Sequence, residues 1–309
     1  MSNSVFKRAQ GVVVPLVTPL YQDERVDTIN LLRLVRYVVA GGVDGLFILG
    51  STGEFARLRE AEKEKAIETV KKAAGKIPLY IGVGETGTCR IKEMIRLAEH
   101  YKADCLVITL PYYYKVLEIK EQQSFLLSIL EYTNTPVLLY NIPENIGNQI
   151  LKDALIPFLS YKHFIGIKDS SGDIGYLNSL IDLKSYRPDW KVLCGTEKIF
   201  YESLQNGVDG LVPSIGNVFP RMMVSLWKAS QQKQWQVAKT IQSHIIDINR
   251  FNLHINSSLR GVIMRKKALE LLNICSSRVS EPCLSSFDFD LDDFNTTIRK
   301  YYGIYEKTA

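Results

Sequence analysis

Phe164-Ile165-Gly166-Ile167 runs through four positions with no polar alternate, and Lys168 closes the run before the polar loop Asp169-Ser170-Ser171-Gly172-Asp173. A strand with one wet face alternates apolar and polar residues; one that does not alternate is buried on both faces, as in a parallel sheet covered by helices. The same reading applies to residues 11–17, 45–49, 79–83, 105–110, 137–140, 192–194 and 210–212. Between these runs, Leu31, Leu32, Val35, Val38 and Val39, or Ile91, Met94, Ile95 and Ala98, fall at spacings that gather their side chains on one helical face. About eight strand-and-helix units predict a closed (β/α)₈ TIM barrel, with an open doubly wound sheet as the alternative. After Pro220 the strand signal stops. Trp235, Ala238, Ile241, Ile245 and Ile248 keep helical spacing, as do Ala268, Leu271 and Leu272, so residues 1–220 are expected to form the barrel and 221–309 a helical extension packed on it.

Composition narrows the function classes. The chain has 309 residues, 46% of them hydrophobic, enough for a substantial core without staples. A formal charge of +5 is spread over many residues, and the densest basic cluster, Arg265-Lys266-Lys267, lies in a helical pattern and reads as a solvated face, so no nucleic-acid partner is expected. Five scattered cysteines, Cys89, Cys105, Cys194, Cys275 and Cys283, read as reduced thiols of a cytoplasmic protein. His100, His163, His244 and His254 show no ligand spacing, so no metal is expected. Lys7 and Arg8 precede an apolar stretch too short and too punctuated by proline to be a signal or membrane segment, so no membrane association is expected.

In a parallel barrel the chemistry sits at the carboxyl ends of the strands. Lys168 stands at such an end. A lysine in water titrates near 10.4, leaving on the order of one amine in a thousand neutral at cellular pH, whereas apolar walls disfavour the charge and free the lone pair to attack a carbonyl. The bland alternative is a strand that stops at Ile167 and a lysine that reaches into water. The second run ends in Gly50-Ser51-Thr52-Gly53-Glu54, whose N–H groups at Ser51 and Thr52 suit a carboxylate, although a capping turn would use the same residue types. The fourth ends in Pro111-Tyr112-Tyr113-Tyr114 and the fifth in Tyr140-Asn141-Ile142-Pro143.

These motifs, with Gly166-Ile167-Lys168-Asp169, resemble in order and separation the dihydrodipicolinate synthase and N-acetylneuraminate lyase superfamily of class I pyruvate-dependent aldolases, over about residues 11–218. The resemblance implies that Lys168 forms an imine with pyruvate and that the Ser51 and Thr52 N–H groups hold its carboxylate. It further implies that Tyr140 is the proton-shuttling phenol, that Ser51 and Tyr113 complete a hydroxyl relay, and that Gly195 and Val212 line the pyruvate pocket. Tyr113 would be lent by a neighbouring subunit, which implies a homotetramer built from tight dimers. No separate cofactor is implied beyond the covalent lysine imine; the partners are a small keto acid and an aldehyde.

In dihydrodipicolinate synthases the loop after the Tyr-Asn pair usually carries an arginine that holds the second substrate's carboxylate; here that position is Asn145, and a neutral amide does not replace a charged bidentate fork. Gly42-Val43-Asp44-Gly45-Leu46-Phe47, Tyr113-Tyr114-Lys115-Val116 and Val192-Leu193-Cys194-Gly195 look most like bacterial 2-keto-3-deoxy sugar acid aldolases, which release pyruvate and glyceraldehyde. The alternatives are 4-hydroxy-tetrahydrodipicolinate synthase, N-acetylneuraminate lyase, a keto-deoxy sugar acid dehydratase, or a pyruvate-binding homologue without turnover. Ser170, Ser171 and Asn217 are expected at the rim. A flavin or phosphate enzyme would want a glycine-rich cradle that Gly195-Thr196-Glu197 and Gly216-Asn217 do not supply.

Overall fold

A computed structural model describes residues 9–283 and 289–307; Lys7 and Arg8 lie outside the described residues. The eight strands are β1 Gly11–Pro15, β2 Gly45–Ile48, β3 Leu79–Gly82, β4 Cys105–Thr109, β5 Val137–Asn141, β6 Phe164–Asp169, β7 Lys191–Cys194 and β8 Gly210–Leu211. They form a closed barrel in chain order, the (β/α)₈ architecture that the uninterrupted apolar runs predict. Nearly every strand residue is buried, the condition under which alternation vanishes from the sequence.

The chain divides into two compact units. Among the described residues, one takes those up to Gly11 together with Pro78–Val212; the other takes Val12–Ile77 and those from Pro213 on. The first unit holds β3 to β8 and the helices α3 Thr88–His100, α4 Ile119–Leu130, α5 Pro143–Ile146, α6 Lys152–Leu155, α7 Ile174–Ile181 and α8 Phe200–Gln205. Helix α3 buries Ile91, Met94, Ile95 and Ala98, the stripe expected from their spacing. The entry to β6 is clamped by Arg187, whose guanidinium donates to the carbonyls of Leu159, Tyr161, Lys162 and Phe164 at 2.6–3.2 Å. Trp190 meets Phe164 edge-on, ring centroids 5.0 Å apart, so the start of β6 is fixed by both polar and aromatic contacts.

The second unit pairs β1 with β2, Val13 opposite Gly45, and carries α1 Thr28–Ala40 and α2 Glu60–Ala73. Asp27 caps α1 by accepting the N–H of Asn30, and the buried stripe is Leu31, Leu34, Val35 and Val38; Leu32 and Val39 lie at its margin instead. Beyond Pro220 the named elements of the described residues are helices, among them α9 Pro220–Gln231, α10 Trp235–Asn249, α11 Arg260–Leu271 and α12 Leu291–Tyr305. The solvated reading of Arg265-Lys266-Lys267 is overturned. Arg265 and Lys266 are buried in α11, and Lys266 is neutralised there by Glu54, a partner 212 positions away that no local pattern could reveal. Among the described residues no helix is long and apolar enough to cross a membrane.

Candidate active site

Strand β6 does not stop at Ile167. Its ladder continues through Lys168 and Asp169, with Lys168 opposite Tyr140 on β5 and Leu193 on β7. The lysine backbone is therefore held on both sides, and the residue is 4% exposed. The alternative of a lysine reaching into water fails on that burial. Lys168 Nζ lies 3.3 Å from the centroid of the buried Tyr140 ring. Burial pulls the ammonium below its ordinary 10.5, while a hydrogen bond with Tyr140 and the charge of Asp169 pull the other way. A desolvated amine stacked on a phenol is a nucleophile with a proton carrier beside it.

The neighbouring groups keep this pair in place. Asn141 donates to Asp169 Oδ1 at 2.7 Å and accepts the Ile150 N–H at 3.0 Å, which ties the end of β5 to that of β6. Ser171 donates its hydroxyl to Asp169 Oδ2 at 2.8 Å, and the Ser170 N–H donates to the Asn141 carbonyl at 2.9 Å. Gly195 donates its N–H to the Asp169 carbonyl at 2.7 Å, and the buried Val212 donates to that of Cys194 at 2.8 Å. A β-carbon on Gly195, just after β7, would lie 2.2 Å from Ser170 Oγ and 2.8 Å from Lys168 Cε, so a larger residue there displaces one or both of these side chains. Burial pushes the Cys194 thiol up to about 12, which leaves it neutral beside the amine.

Ser51 and Thr52 open a short 3₁₀ turn, Ser51–Gly53, directly after β2. The N–H groups of Gly53, Glu54 and Phe55 are used on the carbonyls of Gly50, Ser51 and Gly50, and Thr18 Oγ1 donates to the Gly53 carbonyl at 2.8 Å. Among the described residues the N–H groups of Ser51 and Thr52 meet no protein acceptor. Two adjacent unpaired donors at the start of a turn suit an anion.

The remaining residues divide. Tyr113 is 82% exposed, has φ 81° and packs edge-on against Tyr114, so within one chain it is no part of the buried pair. Asn145 is exposed in α5. Asn217 is corrected: it is fully buried, accepts the Val17 N–H and donates to the Pro15 and Ser214 carbonyls, so no polar atom of its side chain is left for a ligand at a rim. Thr109 went unnoticed in the sequence. It ends β4 opposite Tyr140, and its buried hydroxyl has no partner among the described residues; a hydroxyl residue next to the end of an apolar run was the available signal.

A closed parallel barrel with a buried lysine at the end of its sixth strand is the frame of a class I aldolase. The Dihydrodipicolinate synthetase family matches residues 8–300, and the chain belongs to it. It is similar to the putative 2-dehydro-3-deoxy-D-gluconate aldolase YagE of Escherichia coli K12, 35% identical over 239 residues, 76% of this chain and 78% of that one. It is also similar to the 4-hydroxy-tetrahydrodipicolinate synthase of Flavobacterium psychrophilum, 33% identical over 226 residues, 72% of this chain and 76% of that one. The crystal structure of YagE in complex with pyruvate superposes with a TM-score of 0.85 at 26% identity, covering 96% of this chain and 98% of that one. The protein is an enzyme, a carbon–carbon lyase of the class I aldolase type, and its relatives divide between sugar acid aldolases and synthases.

Proposed function

We propose that the enzyme cleaves a 2-keto-3-deoxy sugar acid to pyruvate and an aldehyde through an imine on Lys168. The observation that carries this reading is the buried Lys168 amine held 3.3 Å from the Tyr140 ring. The neutral amine attacks the keto carbon, and uptake of one proton from solvent with loss of water leaves the iminium. Tyr140, passing its own proton along the relay through Ser51 and Tyr113, then takes the proton of the C4 hydroxyl while the C3–C4 bond breaks; the electron pair moves into the iminium as an enamine, and the aldehyde departs. Protonation at C3 and hydrolysis return pyruvate and the free amine. The imine is itself the electron sink, so the reading asks for no metal or separate cofactor.

The resemblance of Gly50–Glu54 to the family motif implies that the Ser51 and Thr52 N–H groups hold the substrate carboxylate, and their lack of a protein acceptor among the described residues supports that role. Ser51 and a Tyr113 supplied by a neighbouring copy would complete the proton relay. An 82% exposed tyrosine held at positive φ supports a homotetramer in which that ring is covered. Unpaired thiols at all five cysteines suit the reducing cytoplasm.

The sugar-acid branch rests on Asn145 in place of the carboxylate-binding arginine. Without a charged fork, condensation of aspartate semialdehyde with pyruvate is expected to run about 10- to 100-fold below sugar acid cleavage in kcat/KM, the value of one hydrogen bond to a charged group. A retro-aldol panel of keto-deoxy sugar acids and sialic acid, read by pyruvate release, tests this directly; efficient synthesis from aspartate semialdehyde would move the enzyme to the synthase branch. Gly195→Ala is expected to slow borohydride trapping of the pyruvate imine about 100-fold, because the methyl group displaces Lys168 Cε from its place beside Tyr140. Trapping at the wild-type rate would show that the amine attacks from another position.

A further inference from the structure

Glu54 closes the turn that opens with Ser51, and it does so in the left-handed region, φ 59° and ψ 28°, which residues with a β-carbon avoid. Its side chain and that of Lys266 are both completely buried, with Lys266 Nζ 2.5 Å from Glu54 Oε1. The other carboxylate oxygen, Oε2, accepts from the Ser280 N–H and the Ser280 hydroxyl, each at 2.7 Å. Lys266 also donates to the Arg278 carbonyl at 2.6 Å, and Arg57 donates to the Ser280 carbonyl at 3.2 Å.

A buried ion pair is weak evidence of stabilisation, because the cost of desolvating both charges consumes much of their attraction and apolar residues of similar volume often serve as well. What this arrangement does impose is direction. Three donors converge on one carboxylate, so the side chain of Glu54 has a single orientation, and its backbone is held in a conformation that it would otherwise leave. The Glu54 N–H in turn donates to the Ser51 carbonyl at 3.1 Å, and the Gly53 carbonyl is pinned by Thr18 at 2.8 Å. The peptide planes that carry the two unpaired N–H groups are thereby fixed from the far end of the turn.

We infer that Glu54 and Lys266 are positioning residues: the pair uses α11 and the segment through Ser280 to hold the Ser51 and Thr52 N–H groups as a receptor for the substrate carboxylate. This rests on the carboxylate assignment proposed above. The pair touches no substrate; it acts through the turn.

The test compares two ketones of similar size, pyruvate and hydroxyacetone, which carries a hydroxymethyl group in place of the carboxylate. Each is incubated with the enzyme and trapped on Lys168 by borohydride over a range of concentrations. The double variant Glu54→Gln/Lys266→Gln keeps the number of side-chain heavy atoms at both positions and leaves no unpaired charge. It is expected to raise the pyruvate concentration for half-maximal trapping about tenfold, the loss of roughly one hydrogen bond to a charged group, while the hydroxyacetone value moves less than about twofold. Ser280→Ala leaves the ion pair intact and removes one donor, and it is expected to shift the pyruvate value about threefold in the same selective way. Either variant keeping the wild-type ratio of the two ketones, or weakening both equally, overturns the positioning role. A wild-type enzyme that traps both ketones equally well removes the carboxylate receptor itself, and the inference with it.

Discussion

Lys168→Met is expected to abolish borohydride-dependent addition of pyruvate and to lower sugar acid cleavage by roughly 10⁴- to 10⁶-fold, the scale on which removal of a covalent nucleophile acts. It is also expected to raise the melting temperature. Methionine has nearly the same length and needs no hydrogen bond, whereas the buried amine is held below its ordinary 10.5 because the interior disfavours its charge. Between that lowered value and about 10.5 the unfolded chain binds one proton more than the folded chain. Wild-type stability therefore rises with pH across this window and falls as the pH drops, while the methionine variant has no such dependence at this site. The variant's advantage is largest on the acid side and closes as the pH approaches the value of a free lysine. Imine formation follows the same ionisation and accelerates as the pH rises through the lowered value. Thermal melts of both proteins at several pH values check the sign. A methionine variant less stable than wild type on the acid side would mean that Lys168 is held as a paired cation, and the neutral nucleophile would be lost from the mechanism.

The strands were readable because a barrel buries both faces of each one, which removes alternation and leaves runs such as Cys105–Thr109 and Val137–Asn141 bounded by polar turns. The end of β6 was harder to place, since Lys168 and Asp169 look like the start of a loop. Both are nevertheless buried in the ladder, one against the Tyr140 ring and the other on Asn141 and Ser171, and such partners lie on other strands and turns. Lys168 and Tyr140 were legible as candidates because each closes an apolar run, and the register of β5 with β6 sets them opposite each other. The role of Glu54 was hidden for a different reason. Its partners Lys266 and Ser280 are 212 and 226 positions away, and a lysine inside a basic triplet gives no local sign of being buried. Asn217 shows the converse error: an asparagine after the last strand looks available, but three backbone groups occupy its amide.

Tyr140→Phe separates the two halves of the chemistry. Phenylalanine keeps the ring on which the amine rests, so the apolar wall responsible for lowering the Lys168 ionisation stays in place. Only the hydroxyl is lost, and with it the hydrogen bond that favours the charged amine. The ionisation of Lys168 should therefore fall further, and the acid limb of pyruvate trapping should shift to lower pH, so that imine formation at mildly acidic pH is as fast as in wild type or faster. Carbon–carbon cleavage has no such compensation, because the C4 hydroxyl proton must leave as the bond breaks. Its rate is expected to fall by about 10²- to 10⁴-fold, the range for a positioned acid–base group. Rapid trapping combined with slow cleavage is a pattern that general damage to the fold would not produce, since a distorted barrel would impair both steps. Cleavage near the wild-type rate would take Tyr140 out of the proton transfer, and an acid limb displaced to higher pH would show that its hydroxyl does not stabilise the charged amine.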